Sequence, residues 1–411
     1  MGFKITAIVI ICIIAAYNFW ITYLCSKSVK NEIPDNVKDI YDQEKYETWR
    51  NYRKEKIRLD IMSDIVGLIV SILLLVFNVY ALFARLFPKN VFMQLFSVIL
   101  LTVVSDIAVT PFEYYDTMKI EGKYGFNKTT VGTFLLDKIK SIAISLILMT
   151  GITWVLSLLH RALGDLMILA FAGVLIVLIL AIVFLFPFFS RIFNKFTPLE
   201  EGELRDRLTQ LLEKHGYHVR QIEVMDASKR STKANAYFAG FGKTKSIVLY
   251  DTILEKLTPD EIVAVFAHEL GHGLHHDTIK GQMMMGLQMV IISVLAWLTL
   301  KYPQIFESFG FDGINYGFAL VLIMSVEFSL VSPIMETIQN ICSRKHEYRA
   351  DRCAVDEGYG ESLISGLKKL VREDLGDVAP SKELIFLKYN HPSLSQRITA
   401  IEKYEKERKK E

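Results

Sequence analysis

The sequence predicts a mainly α-helical, multispanning membrane protein, with a polar region of helices and a small β-sheet set between and after its spans. Three observations carry this. Of the 411 residues 51% are apolar, and they are bunched rather than spread. Seven segments, near 5–25, 63–86, 91–112, 141–160, 165–190, 281–301 and 315–337, are each long enough to cross a bilayer. The stretches 191–280 and 338–411 are polar and carry the periodicities of a water-exposed fold. The chain divides accordingly: five spans in 1–190 with an amphipathic loop near 26–61, a polar domain at 191–280, two spans in 281–337, and a second polar part at 338–411.

Lys4 precedes the first apolar run, as in a signal peptide, but the run is too long and aromatic and no small-residue cleavage site follows. It is read as retained. In the loop after it, Ile40, Tyr41, Tyr46, Trp49, Tyr52 and Ile57 recur at near-helical spacing. They predict an amphipathic helix that packs on another part of the protein or lies on the membrane face. Asp64, Asp106 and Glu327 fall within spans, where an ionisable group is expensive unless paired or wet.

Topology follows from Lys and Arg. Nine lie in 26–61, and the loop near 113–140, the stretch 191–280 and the tail after Arg344 are also rich in them. The alternate loops hold only Arg85 and Lys89, Arg161, or Lys301. Positive loops stay inside, which puts the N-terminus outside and the C-terminus in the cytoplasm. The sequon Asn127-Lys128-Thr129 then falls on the cytoplasmic side and is expected to stay unglycosylated. Cys12, Cys25, Cys342 and Cys353 are scattered, with neither metal nor redox spacing. A net charge of +2 gives no case for nucleic acid.

In the polar region a helix ends near His215-Gly216, a strand follows at 219–226, and 235–250 reads as two strands joined by a Gly/Lys/Thr turn. A small sheet with an edge strand allows a peptide substrate to add itself as a further strand. Next comes TPDEIVAVFAHELGHGLHHD, 258–277. Thr258 can cap this helix, Pro259 suits its first position, and Glu261 can complete a capping box. Val263, Phe266 and Leu270 give it an apolar stripe.

Within this helix His268-Glu269-Leu270-Gly271-His272 is an H-E-x-x-H pattern. One turn apart, His268 and His272 can reach the same zinc ion, and Glu269, about 100° further round, is placed to act as general base on a water there. A catalytic zinc needs a third protein ligand and one open position. Asp277 is the nearest carboxylate; Glu347, on a helix just after the seventh span, is the better candidate. Asp351 lies one turn further on the same face, where it can orient a ligand histidine. Such a site is assembled from both sides of a transmembrane hairpin. A seven-span receptor or transporter would leave this constellation as coincidence.

The stretches NKFTPLEEGEL (194–204), SKRSTKANAYFAGFGKTKSIVLYDTIL (228–254), HELGH (268–272), SRKHEYRAD (343–351) and HPSLSQRI (391–398) together resemble the type I CAAX prenyl proteases, integral-membrane zinc endopeptidases. PDNVKDIYDQEKYETW in the first loop extends the resemblance toward the N-terminus. The resemblance implies seven helices enclosing a large water-filled chamber with the zinc site facing into it. It implies His268, His272 and Glu347 as ligands to one Zn2+ and Glu269 as the base. His391 and Arg397, in a segment that resembles the family's His-Pro element, are implied as donors to the oxyanion, and Asn235 as a residue holding substrate backbone.

The implied substrate is a peptide or protein with a prenylated C-terminal cysteine, from which the last three residues are released. A membrane quality-control protease that ignores the prenyl group is the alternative. The lipid bilayer is a partner, the endoplasmic reticulum membrane in a eukaryote or the inner membrane in a bacterium; no oligomeric state is indicated.

Overall fold

The computed structural model describes residues 2–239 and 244–410. The membrane region contains α1 (Gly2–Ser28), α2 (Gln43–Val76), α3 (Val91–Ser105), α4 (Val131–Leu163) and α5 (Met167–Phe193). The polar region follows with β1 (Phe196–Pro198), α6 (Glu203–Lys214), β2 (His218–Met225), β3 (Ala236–Ala239), β4 (Thr244–Tyr250) and α7 (Pro259–Leu274). Then come α8 (Asp277–Lys301), α9 (Tyr316–Leu322), a π-helical turn (Ile323–Glu327) and α10 (Phe328–Asp356). The chain closes with α11 (Gly360–Glu373), α12 (Lys382–Lys388) and α13 (Leu394–Arg408).

Among the described residues, six stretches of helix are long and apolar enough to cross a membrane, the longest being Val131–Leu185. At about 1.5 Å per residue that stretch would be roughly 80 Å long, far beyond a hydrocarbon core of about 30 Å. It is two spans. Gly164, at φ 54 and ψ −126, ends α4, and α5 turns back to pack against it. The seven spans are therefore α1, α2, α3, α4, α5, α8, and α9 with the first half of α10.

Two spans differ from their sequence reading. The amphipathic helix and the second span are one continuous rod, α2, which stops at Asn78 in the left-handed region before a short helix, Val79–Ala84. The third span stops at Ser105, where Asp106–Ala108 tightens into a 3-10 turn.

The polar loops 26–61 and 113–140 and the two polar regions come together at one end of the bundle. Trp49 is fully buried between the rings of Tyr41 and Tyr46. Around them pack Ile40, Tyr52, Ile120 and Phe126 with Leu375, Val378, Leu394 and Ile398 from the C-terminal part. Thus the amphipathic face packs on protein. Tyr41 Oη donates to the Val371 and Gly376 carbonyls, tying the loop to the end of α11. The Lys/Arg-poor loops meet at the opposite end, where Arg85 donates to the Gly310 carbonyl and Trp297 to Asp165.

The sheet runs β1-β2-β4-β3, with β2 and β4 parallel and both outer pairs antiparallel. β1 is too short to show in the sequence. The expected Gly/Lys/Thr turn, at 240–243, lies outside the described residues. Among the described residues β3 is an edge strand that pairs with β4 alone, and its Ala236 shares a core with Val263, Phe266 and Leu270 of α7. That core, completed by Leu208, Leu212, Ile247 and Leu249, seats the motif helix between the sheet and α10.

Candidate metal centre

Helix α7 begins with the full capping box. The Thr258 hydroxyl accepts from the Glu261 amide, and the Glu261 carboxylate accepts from the Thr258 amide at 2.8 Å. Glu261 also accepts from Ser365 and Lys369 of α11, so the start of the helix is fixed in space. Its far end carries the two histidines, whose rings sit 4.9 Å apart and nearly perpendicular.

Helix α10 brings the third group. At Gly271 a Cβ atom would lie 2.7 Å from the Ala350 Cα, so only glycine permits this approach of the two helices. The approach carries Glu347 to the histidines: Oε2 is 3.5 Å from His268 Nε2 and Oε1 is 3.2 Å from His272 Nε2. The ligand atoms of His268, His272 and Glu347 all lie within 4.8 Å of one another.

Zinc ligands at about 2.0–2.1 Å in a tetrahedron stand roughly 3.3–3.4 Å apart, which is what these gaps resemble. Glu347 Oε2 is buried without a hydrogen bond. An orphaned anionic oxygen 3.5 Å from one imidazole nitrogen, on a carboxylate whose other oxygen faces the second, is a donor set a cation satisfies. The residues fit the metal.

Both histidines are oriented from behind. His268 Nδ1 donates to Asp351 Oδ1 at 2.9 Å, and His272 Nδ1 donates to Asp277 Oδ2 at 3.2 Å. A carboxylate can only accept, so each contact holds a proton on Nδ1 and leaves Nε2, the atom turned toward Glu347, as the one that would bind a metal after losing its own proton. Asp277 and Glu347, the two candidates for third ligand in the sequence, thus sit in different places. Glu347 faces both Nε2 atoms, and Asp277 lies behind His272.

Burial opposes a charge on His272, but the hydrogen bond and charge of Glu347, then Asp277 and Glu269, lift its pKa to about 9. Burial pushes the Glu269 carboxyl up, against the pull of the two histidines.

One face of α10 does several tasks in succession, with residues spaced three or four apart. Asn340 donates to the Leu387 carbonyl. Arg344 donates to the carbonyls of Ile385, Phe386 and Tyr389. Glu347 meets the histidines and Asp351 backs His268. The first two grip α12 and so place His391, whose Nε2 lies 3.3 Å from Glu347 Oε1 and whose side chain is half exposed. Arg397 is buried, with Nε and Nη2 donating to both Asp351 oxygens at 3.0 and 2.5 Å and Nη1 3.6 Å from Glu347. Most of its guanidinium is engaged by Asp351.

Asn235 stands exposed at the head of edge strand β3, its carbonyl accepting from the Tyr250 amide and its own Oδ1 from the Ala236 amide. His275 and His276 are exposed beyond the motif. His160 pairs with Tyr316, and His215 with Glu357. Of the ionisable groups within spans, Glu327 accepts from Thr299 at 2.6 Å.

Residues 22–195 match a family profile described as CAAX prenyl protease N-terminal, five membrane helices, and residues 198–405 match peptidase family M48. CAAX prenyl protease 1 of Saccharomyces cerevisiae is 30% identical over 433 residues, covering 97% of this chain and 95% of its own. The homolog of Arabidopsis thaliana is 31% identical over 394 residues and 90% of each chain. The homolog of Homo sapiens is 26% identical over 437 residues, 93% of this chain and 92% of its own. The crystal structure of S. mikatae Ste24p matches with a TM-score of 0.91 at 26% identity, over 98% of this chain and 99% of that one.

Proposed function

Since the chain belongs to peptidase family M48, together with the CAAX prenyl proteases, we propose that it cuts C-terminally prenylated polypeptides with the aid of one zinc ion. It is a multi-pass membrane metalloendopeptidase. The observation that carries the further reading is the His268–His272–Glu347 cluster, with one Glu347 oxygen buried and without a hydrogen bond.

His268, His272 and Glu347 would hold the zinc. When bound, the ion supplies a Lewis acid that polarises the scissile carbonyl and lowers the pKa of a water toward about 7. Glu269 takes the proton from the attacking water and returns it to the leaving amine, work suited to its raised pKa. His391, reachable from outside and beside Glu347, donates to the oxyanion as it forms. Arg397 neutralises Asp351 and Glu347 at short range, so these carboxylates stay ionised and in place. A substrate strand adds to the free edge of β3, with Asn235 holding its backbone.

The seven spans stand around an interior space that admits the substrate. The N-terminus lies outside and the protease region in the cytoplasm. The gathering of all four Lys/Arg-rich segments at one end of the bundle supports this orientation.

The test uses purified wild type and Glu269→Gln, each assayed for bound zinc. Both receive a peptide ending in a farnesylated cysteine plus three residues, and the same peptide without the lipid. Zinc in both proteins, with cleavage by wild type alone and preference for the lipidated peptide, is the expected result. Equal cleavage of both peptides replaces the prenyl-specific reading with that of a broad membrane protease. Absence of zinc, or turnover by Glu269→Gln, overturns the mechanism.

A further inference from the structure

Asp277 is buried and gathers more charged partners than any role as a helix-starting residue requires. One oxygen accepts from His272 Nδ1 at 3.2 Å. The other lies 2.7 Å from Arg349 Nη2, 3.2 Å from Lys280 Nζ and 3.5 Å from His346 Nδ1. These partners come from three helices: His272 from α7, Lys280 from α8, and Arg349 and His346 from α10. Arg349 is tied to this place through Nη2.

The backbone is bent to make the contact. His276 takes φ 55 and ψ 34, the left-handed region that a residue with a Cβ adopts rarely and at a cost. The bend reverses the chain between α7 and α8, so the first residue of α8 reaches back to the histidine five positions before it. Without the bend the carboxylate would not meet His272.

We propose that Asp277, held by Arg349, is a positioning residue for His272 that couples metal occupancy to the cytoplasmic end of the sixth span. This rests on reading His272 as a metal ligand. His272 Nδ1 has one carboxylate partner, and that partner is the first residue of α8. A shift of α8 therefore rotates the imidazole, and a metal that fixes the imidazole fixes the start of α8. Arg349 sits half a turn from Glu347 on α10, so the same contact sets the third group against the second.

The test uses full-length protein, with zinc affinity from chelator competition, unfolding of the metal-free form, and amide hydrogen exchange over the first two turns of α8. His272→Ala is expected to lose zinc binding; if it binds zinc as wild type does, the reading of the site itself fails. Asp277→Asn is expected to lower metal-free stability, since Asp277 pairs with Arg349 and Lys280, and to weaken zinc binding about 10- to 100-fold in protein that is still folded, the usual effect of removing a partner behind a metal ligand. Zinc should slow exchange at the start of α8 in wild type and not in Asp277→Asn. Zinc affinity within twofold of wild type, or equal slowing by zinc in both, overturns the proposal while leaving His272 a ligand. If Asp277→Asn does not fold, Arg349→Gln decides by the same measurements.

Discussion

Replacing Gly271 by alanine should separate metal binding from folding. The added Cβ would meet Ala350 Cα at 2.7 Å, Cys353 Cβ at 3.0 Å and Ala350 Cβ at 3.2 Å. Carbon atoms pack best at about 3.5–4.0 Å, so α7 and α10 must part by roughly 1 Å. The nearest neighbour is backbone, which cannot swing aside. A parting of that size takes the gaps of 3.2 and 3.5 Å between Glu347 and the histidines beyond 4 Å. A metal site tolerates only about 0.2 Å in each ligand distance, so zinc affinity should fall at least on the order of 100-fold. Overpacking costs about 1–3 kcal/mol, partly offset by a helix propensity gain of about 1 kcal/mol.

The metal-free protein should therefore lose about 0–2 kcal/mol while the metal site is lost. Gly273→Ala, in the same helix, is the control. Its Cβ would approach only the end of the Tyr217 side chain, at 3.3 Å, and zinc binding should survive. Chelator competition and metal-free denaturation of both variants give the comparison. Wild-type zinc affinity in Gly271→Ala would show that close approach of these helices does not build the site.

Three other outcomes are expected. In metal-free protein the raised pKa of His272, about 9, contributes stability that is complete below the ordinary histidine value of about 6.5 and lost as pH rises through about 9. Metal-free unfolding temperature should fall across that window in wild type and less so in His272→Ala, while zinc binding at pH 7 should release a proton, read by calorimetry in buffers of different ionisation heat. Arg397→Leu leaves buried Asp351 without its charged partner, held only by His268, and should cost about 3–5 kcal/mol in denaturant unfolding; a loss under 1 kcal/mol would mean the pair is not closed in solution. Trp49→Ala should cost about 3–5 kcal/mol and open 375–395 to limited proteolysis, since Trp49 lies in the core that seats this segment.

The sequence announced features that depend on neighbours along the chain. The capping box from Thr258 to Glu261, the stripe of Val263, Phe266 and Leu270, and five of the seven span positions are of this kind. Features that depend on a change of solvent or on a single dihedral were hidden. α2 is one rod, yet its polar half reads at helical period and its apolar half as a continuous run, so the join is invisible. β1 is three residues long, defined by pairing with β2 rather than by composition. The contact of Asp277 with His272 hangs on the φ of His276, and the bond of Arg397 to Asp351 spans 46 residues. Neither has a local signature.

The placing of the metal cluster on both sides of a membrane hairpin also dictates when, during synthesis, it can first exist. A growing chain that has made α7 holds His268, Glu269 and His272, but Glu347 lies beyond two further spans and Arg397 comes 128 residues after Glu269. At 5–20 residues per second, roughly 6–25 s separate the two. For the first 78 residues of that interval the polypeptide carries the motif without Glu347. Gene order thus sets the timing: the cluster of His268, His272 and Glu347 is complete only after the last span has been made.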